Sequence, residues 1–162
     1  MIGTSLVVGK QALIARLNEN ATLTAAGVAI SYQGPEQPTD LKSSDGNYEA
    51  IWLGDATITN EVPFLTAGHL YRDETIRLKL IVQVLKPGTA GDQEQADLRA
   101  QQLLAQVETT LANNVSLDVT DPARFEALFL GADQQVGFLG QGGGHGSRFD
   151  CTVEFTARLT PT

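Results

Sequence analysis

The residues with the most chemical potential lie near the C-terminus, in Gly140-Gln141-Gly142-Gly143-Gly144-His145-Gly146-Ser147. A glycine-rich loop can bring backbone N–H groups close to a phosphate, and a histidine near a serine can pair a base with a nucleophile. Neither chemistry has its usual setting here. The stretch lacks the Lys-Ser/Thr ending of a P-loop, and it leads into a strand where phosphate binding needs a helix. A G-x-G-x-x-G match inside it has the same wrong context. No Gly-x-Ser-x-Gly occurs in the chain, so Ser147 has no nucleophile elbow. The plain reading is a hairpin tip, from Gly140 to Ser147, whose use would be contact with a partner.

The other candidates reduce to structure. His69 and His145 are the two histidines, far apart and without ligand-like spacing, which argues against zinc. Cys151 is the single cysteine, so an intrachain disulfide and any multi-cysteine metal site are excluded. It falls on an apolar strand face and reads as a buried, inert thiol. Asp92, Glu94 and Asp97 could be imagined as an acid/base or metal cluster, but helix capping and the helix dipole already account for them. Trp52 reads as core, not as a cofactor platform. The expectation is therefore no catalytic residue, no metal and no cofactor.

The elements that position these residues centre on Thr75 to Asn113. Ile76, Leu78, Leu80, Val82 and Val84 recur at every second position of a strand over 75–85, with Arg77, Lys79 and Gln83 between them. Lys86-Pro87-Gly88 ends it. Ala96, Ala100, Leu103, Val107 and Leu111, with Leu104 widening the stripe, then mark an amphipathic helix. Asp92 is its N-cap and Gln95 completes a capping-box-like pair, while Asn113-Asn114 is the stop.

Before this unit, the spacing predicts a helix over 4–18 with Thr4 as cap, a strand around Val28, Ile30 and Tyr32, and a surface loop over 34–46. A strand over 48–58 follows, bent or bulged at Gly54. The segment Asn60 to Asp73 reads as a long excursion. After the main helix, Asp121-Pro122 signals a brief helix burying Phe125, Leu128 and Phe129. Strands over 134–139 and 148–159 then form an antiparallel hairpin. In the last strand Phe149, Cys151, Val153, Phe155, Ala157 and Leu159 alternate with polar residues. The sum is one α+β domain over 1–162: a mostly antiparallel sheet with its helices packed on one face.

With 162 residues the chain can bury a sizeable core. Its net charge is −8, with eleven basic residues among nineteen acids, which disfavours non-specific nucleic-acid binding and an anionic membrane surface. There is no signal-peptide pattern and no apolar run long enough to span a membrane. A soluble protein, intracellular when made, is expected. Leu65 and Leu70, in the segment before the central strand, have no place in the core so drawn. With Gln141, Gly142, Gly143, Gly144 and His145 they are the candidate protein-interface residues.

The order of elements resembles the tail terminator proteins of long-tailed bacteriophages, including the lambda-type family and its actinobacteriophage relatives. The similar parts are the N-terminal helix, the strand through Tyr48, Trp52 and Ile58, and Leu70-Tyr71-Arg72-Asp73-Glu74 running into Ile76–Val84. The helix Asp92–Asn113, with Ala-Asp-Leu-Arg-Ala-Gln-Gln-Leu-Leu-Ala-Gln-Val-Glu, and the closing strand Phe149–Leu159 continue it. The resemblance implies a non-enzymatic virion subunit, assembled in the bacterial host cytoplasm. It forms a homo-oligomeric ring, usually a hexamer, at the head-proximal end of the tail tube. Such a ring ends tube polymerisation and meets the tail-tube protein on one side and the head-completion or connector protein on the other. DNA passes its lumen without specific binding, and the acidic balance agrees, since an acidic lumen repels phosphate. The alternatives are another neck, head–tail connector or tail-completion protein and, from a different class, a small hydrolase or ligand-binding domain using the Gly140–Ser147 loop.

Overall fold

The computed structural model describes residues 3–34, 48–61, 65–66, 69–87, 93–138 and 144–160. Helices α1 (Leu6–Glu19) and α2 (Ala21–Ala25) precede a short strand β1 (Ala29–Ser31) and a long one, β2 (Tyr48–Glu61). A two-stranded ribbon, β3 (Leu65–Thr66) with β4 (His69–Leu70), leads to β5 (Arg72–Pro87). Helix α3 (Gln93–Asn113) and the strands β6 (Phe125–Phe138) and β7 (Gly144–Leu159) complete the chain. The main sheet has the order β1-β2-β5-β7-β6, antiparallel except for β1 against β2. It is an α+β fold.

The period-two pattern decides which side of the sheet is covered. Residues directly opposite each other in an antiparallel pair share a face. Ile76 therefore joins Phe155, Leu78 joins Val153, Leu80 joins Cys151 and Val82 joins Phe149 on one face. Ile51 and Leu53 from β2 and Ala127 and Phe125 from β6 extend it. Against this face pack Leu13 and Leu17 of α1, Leu23 of α2, and Ala100, Leu103, Val107 and Leu111 of α3. α1 approaches closely because Gly9 has no side chain: a Cβ there would lie 2.7 Å from the Phe155 ring and 2.9 Å from Phe125. The two rings stack at a 47° tilt with centroids 5.2 Å apart. The glycine that weakens this helix by propensity is the one that lets it dock.

Polar links hold the helices in register with the sheet and with one another. Glu49, on the covered face of β2 and fully buried, accepts Arg99 Nε at 2.7 Å and Nη2 at 2.9 Å through its two oxygens, clamping α3. Glu74 of β5 accepts the backbone N–H of Ser5 at 2.8 Å and its hydroxyl at 2.6 Å, placing a carboxylate at the positive end of α1. Arg72 donates to the Gly3 carbonyl beside it. Asn20 caps α2 by accepting the Thr22 and Leu23 amides, and its Nδ2 donates to Thr110 Oγ1 of α3 at 3.0 Å.

Several expectations need correction. Thr4 accepts the Leu6 amide, but the residue at the N-cap of α1 is Ser5. α2 went unforeseen, because five residues carry too little periodicity. The excursion over 60–73 is mostly strand: β2 and β5 stay paired out to Glu61 and Asp73. The helix expected after Asp121-Pro122 is absent. Phe125, Ala127 and Phe129 alternate with Glu126, Leu128 and Leu130 as the first half of β6, so Leu128 is exposed where burial was expected. Beyond α3, the left-handed positions are Leu117 and Asp118, not Asn113 or Asn114. Trp52 is half-buried on the uncovered face, because Ile51 and Leu53 already point to the helices. The register shift between Leu53 and Ala56 does fall at Gly54. The expected Asp92 cap, the Gly88 stop and the loop over 35–46 lie outside the described residues.

Two substitutions test this packing. Gly9→Ala adds helix propensity but forces the Phe155 and Phe125 rings to move, and a net loss of about 1–3 kcal/mol is expected in denaturant unfolding. Arg99→Met strips a buried carboxylate of its partner and should cost about 3–5 kcal/mol in the same measurement, much of it regained when Glu49→Leu is added.

Candidate interaction surfaces

The glycine-rich segment divides. Gln141, Gly142 and Gly143 lie outside the described residues. Gly144 to Ser147 are strand, not loop: Gly144 pairs with Pro87, while His145 pairs with Lys86 on one side and Phe138 on the other. β7 is thus flanked on both sides to its first residues, and the turn is shorter than the run of glycines suggested. Gly144, Gly146 and Ser147 are buried there. His145 is half-buried.

This placement bears on the hydrolase alternative. Ser147 is 1% exposed, and its hydroxyl accepts Gln134 Nε2 at 3.3 Å. A nucleophile sealed in this way has no approach for a substrate. Cys151 is fully buried among aliphatic neighbours, and that burial pushes its thiol up to about 12, which keeps it protonated and unreactive. Among the described residues no group of His, Cys, Asp and Glu could hold a metal ion, and no helix is long and apolar enough to cross a membrane. Asp97 accepts Gln93 Nε2 at 2.9 Å, and Glu94 sits in the first turn of α3, as helix-end residues do.

The uncovered face of the sheet is polar and carries both signs of charge. Arg77 meets Glu154 at 3.2 Å, Lys79 meets Asp150 at 3.7 Å, and Arg148 meets Asp150 at 2.6 Å with its guanidinium 5.8 Å from the Trp52 ring centre. Asp73 takes both oxygens to Arg158 at 2.7 and 2.9 Å, and this hydrogen bonding holds its carboxyl below the usual carboxylate range. Pairs this exposed add little stability, so their effect is to keep the face hydrated and neutral in detail. A groove of ≈ 630 Å³ crosses it between Asp55, Arg77, Lys79, Leu130 and Asp133.

Leu65 and Leu70 pair with each other across the β3–β4 ribbon at the end of the β2–β5 arm. Exposed apolar side chains lie on β6, Leu130 among them at this groove. On β6, which forms one edge of the sheet, Leu128, Leu130 and Val136 are 47%, 49% and 61% exposed. Sequence reasoning missed this edge, because the first half of β6 was read as helix. The alternation from Phe125 to Phe129 was the available signal.

Comparison with protein families finds no matching family model, and comparison with curated proteins finds no match. Among solved structures, a chain from the virion of native gene transfer agent (GTA) particle is similar in fold. It has 16% sequence identity, a TM-score of 0.49 and coverage of 94% of each chain.

The reactivity of Cys151 is the direct check on this site. Iodoacetamide at about pH 8 labels an ordinary exposed thiol readily. The native protein should stay unlabelled over hours by mass spectrometry and take up one equivalent once unfolded in guanidinium.

Proposed function

We propose that this chain is a non-enzymatic structural protein of a phage-like virion, a tail terminator subunit. Copies form a ring, usually a hexamer in proteins of the kind it resembles, at the head-proximal end of the tail tube. The ring ends tube growth and offers its other side to a head-completion or connector protein, and DNA crosses the lumen without specific contacts. The reading rests on the order of sequence elements from the N-terminal helix to the closing strand. The observation that carries it is the β6 edge, a 14-residue strand presenting Leu128, Leu130 and Val136 to solvent. Edges of that length and character are usually blunted in a monomer and used in an assembly.

A ring needs one surface of each subunit to match a different surface of its neighbour, so that the rotation between copies closes. The net charge of −8 agrees with a lumen that repels phosphate. Leu65 and Leu70, at the tip of the arm, and residues 141–145 are the proposed contacts with tube or connector.

Light scattering on the protein alone, and mixed with the tail-tube protein of its own particle, tests the proposal. A closed ring, or a cap that stops tube elongation at a fixed length, is the expected result. A monomer indifferent to the tube would refute it.

A further inference from the structure

We propose that copies of this chain join by continuing their main sheets edge to edge, β6 of one copy beside the distal half of β2 in the next. The inference deepens the ring reading and rests on it.

The sheet has two edges, and they differ in how they are covered. β1 pairs with β2 at Ala50, Ile51 and Trp52 and nowhere else. Beyond Trp52, no described strand lies against that side of β2, although β2 runs on to Glu61. At the opposite edge the chain after α3 reaches β6 once, where the Ala127 amide donates to the Val115 carbonyl at 2.7 Å. From Leu128 onward no described strand lies against the outer side of β6.

Neither open segment carries a lysine or a proline, although each holds one bulge, at Gly54 on β2 and around Leu130 on β6. Ala56-Thr57-Ile58-Thr59-Asn60 contains no charge and no proline, and Ile58 is 39% exposed. Leu128 to Val136 contains one charge, Asp133, and neither lysine nor proline. Soluble monomers place lysine, proline or very short strands at such positions, because an open row of N–H and C=O groups pairs with whatever strand arrives. Each edge is rich in residues that favour a pleated surface, Thr and Ile on β2, Leu, Phe and Val on β6. The chemistry of each edge therefore asks for another strand.

Direction identifies the mate. β2 runs opposite to β5, β5 opposite to β7, and β7 opposite to β6, so β6 and β2 run in opposite senses at the two ends of one sheet. A second copy placed beside the first, with its helices on the same side, brings β6 against β2 as an antiparallel pair. That contact is heterologous: each copy uses its β6 once and its β2 once. Successive copies rotate about an axis, and the chain of sheets closes on itself when the rotation divides a full turn. The β1 strand limits the joint to the distal half of β2. Exposed Ile58 and Leu130 would then lie within the new ladder, with the helices forming a continuous outer layer.

Leu130→Lys and Ile58→Lys each put a charge on one edge while leaving the core untouched, since both side chains are already part-exposed. Mass by light scattering is measured for the wild type, each variant and their equimolar mixture, alone and with the tail-tube protein. Unchanged circular dichroism and a cooperative melt show that each variant folds. Val136→Lys and Thr59→Lys replace any that does not. The expected result is loss of the oligomer in each single variant and a 1:1 dimer, growing no further, in the mixture. In that dimer the intact β6 of Ile58→Lys meets the intact β2 of Leu130→Lys. Assembly that persists in either variant overturns the edge joint while leaving the ring standing. Loss in Leu130→Lys alone would instead mean β6 pairing with β6. A wild type that is monomeric in both settings removes the joint and the ring together.

Discussion

The structure depends on the pairing of β5 with β7. Their ladder runs unbroken from Arg72 opposite Leu159 to Pro87 opposite Gly144, without a bulge. Because side chains alternate, a slip of one residue would turn Ile76, Leu78, Leu80 and Val82 out to solvent and bring Arg77 and Lys79 under the helices. Burying aliphatic area on one face, at roughly 25 cal/mol per Å² removed from water, selects a single register. The bulges in the neighbouring pairs, at Gly54 on β2 and around Leu130 on β6, bend the flanks around this straight centre.

Hydrophobic burial sets the register but not the azimuth of each helix. A stripe of leucine and alanine can slide on an aliphatic sheet with small loss, whereas a buried carboxylate cannot lose its donors cheaply. Glu49 and Glu74 exploit this asymmetry from the covered face. One fixes α3 through a two-point guanidinium, and the other fixes the start of α1 through an amide and a hydroxyl. Asn20 links α2 to α3 in the same manner. Gly9 then sets how near α1 can lie, against the Phe155 and Phe125 rings.

That arrangement leaves the chemically reactive residues sealed and the edges open. Cys151 and Ser147 face the covered side and are buried, while the uncovered face is a field of compensated charges. Among the described residues, β6 and the distal half of β2 are the strands with an open side, and both carry part-exposed apolar residues.

Much of this was readable in advance from local patterns. The alternation over 75–85 and 148–159, the 3.6-residue stripe of α3 and the glycine in β2 each encode their element within a short window, so their faces and bends came out as read. The first half of β6 did not, because Asp121-Pro122 is a strong helix signal and the window after it is also compatible with a strand. The glycine run suggested a longer loop, because local flexibility does not reveal that β5 and β6 will grip Gly144 to Ser147 from both sides. The polar clamps were invisible: Glu49 meets Arg99 across 50 positions and Ser5 meets Glu74 across 69. The sequence by itself determined which face of each long element is apolar, since that follows from periodicity alone. Only the tertiary structure decided strand order, and with it which strands are left at the edges. Hydrogen-bonded neighbours in a sheet are chosen by the summed burial of distant segments, a quantity that no single segment carries.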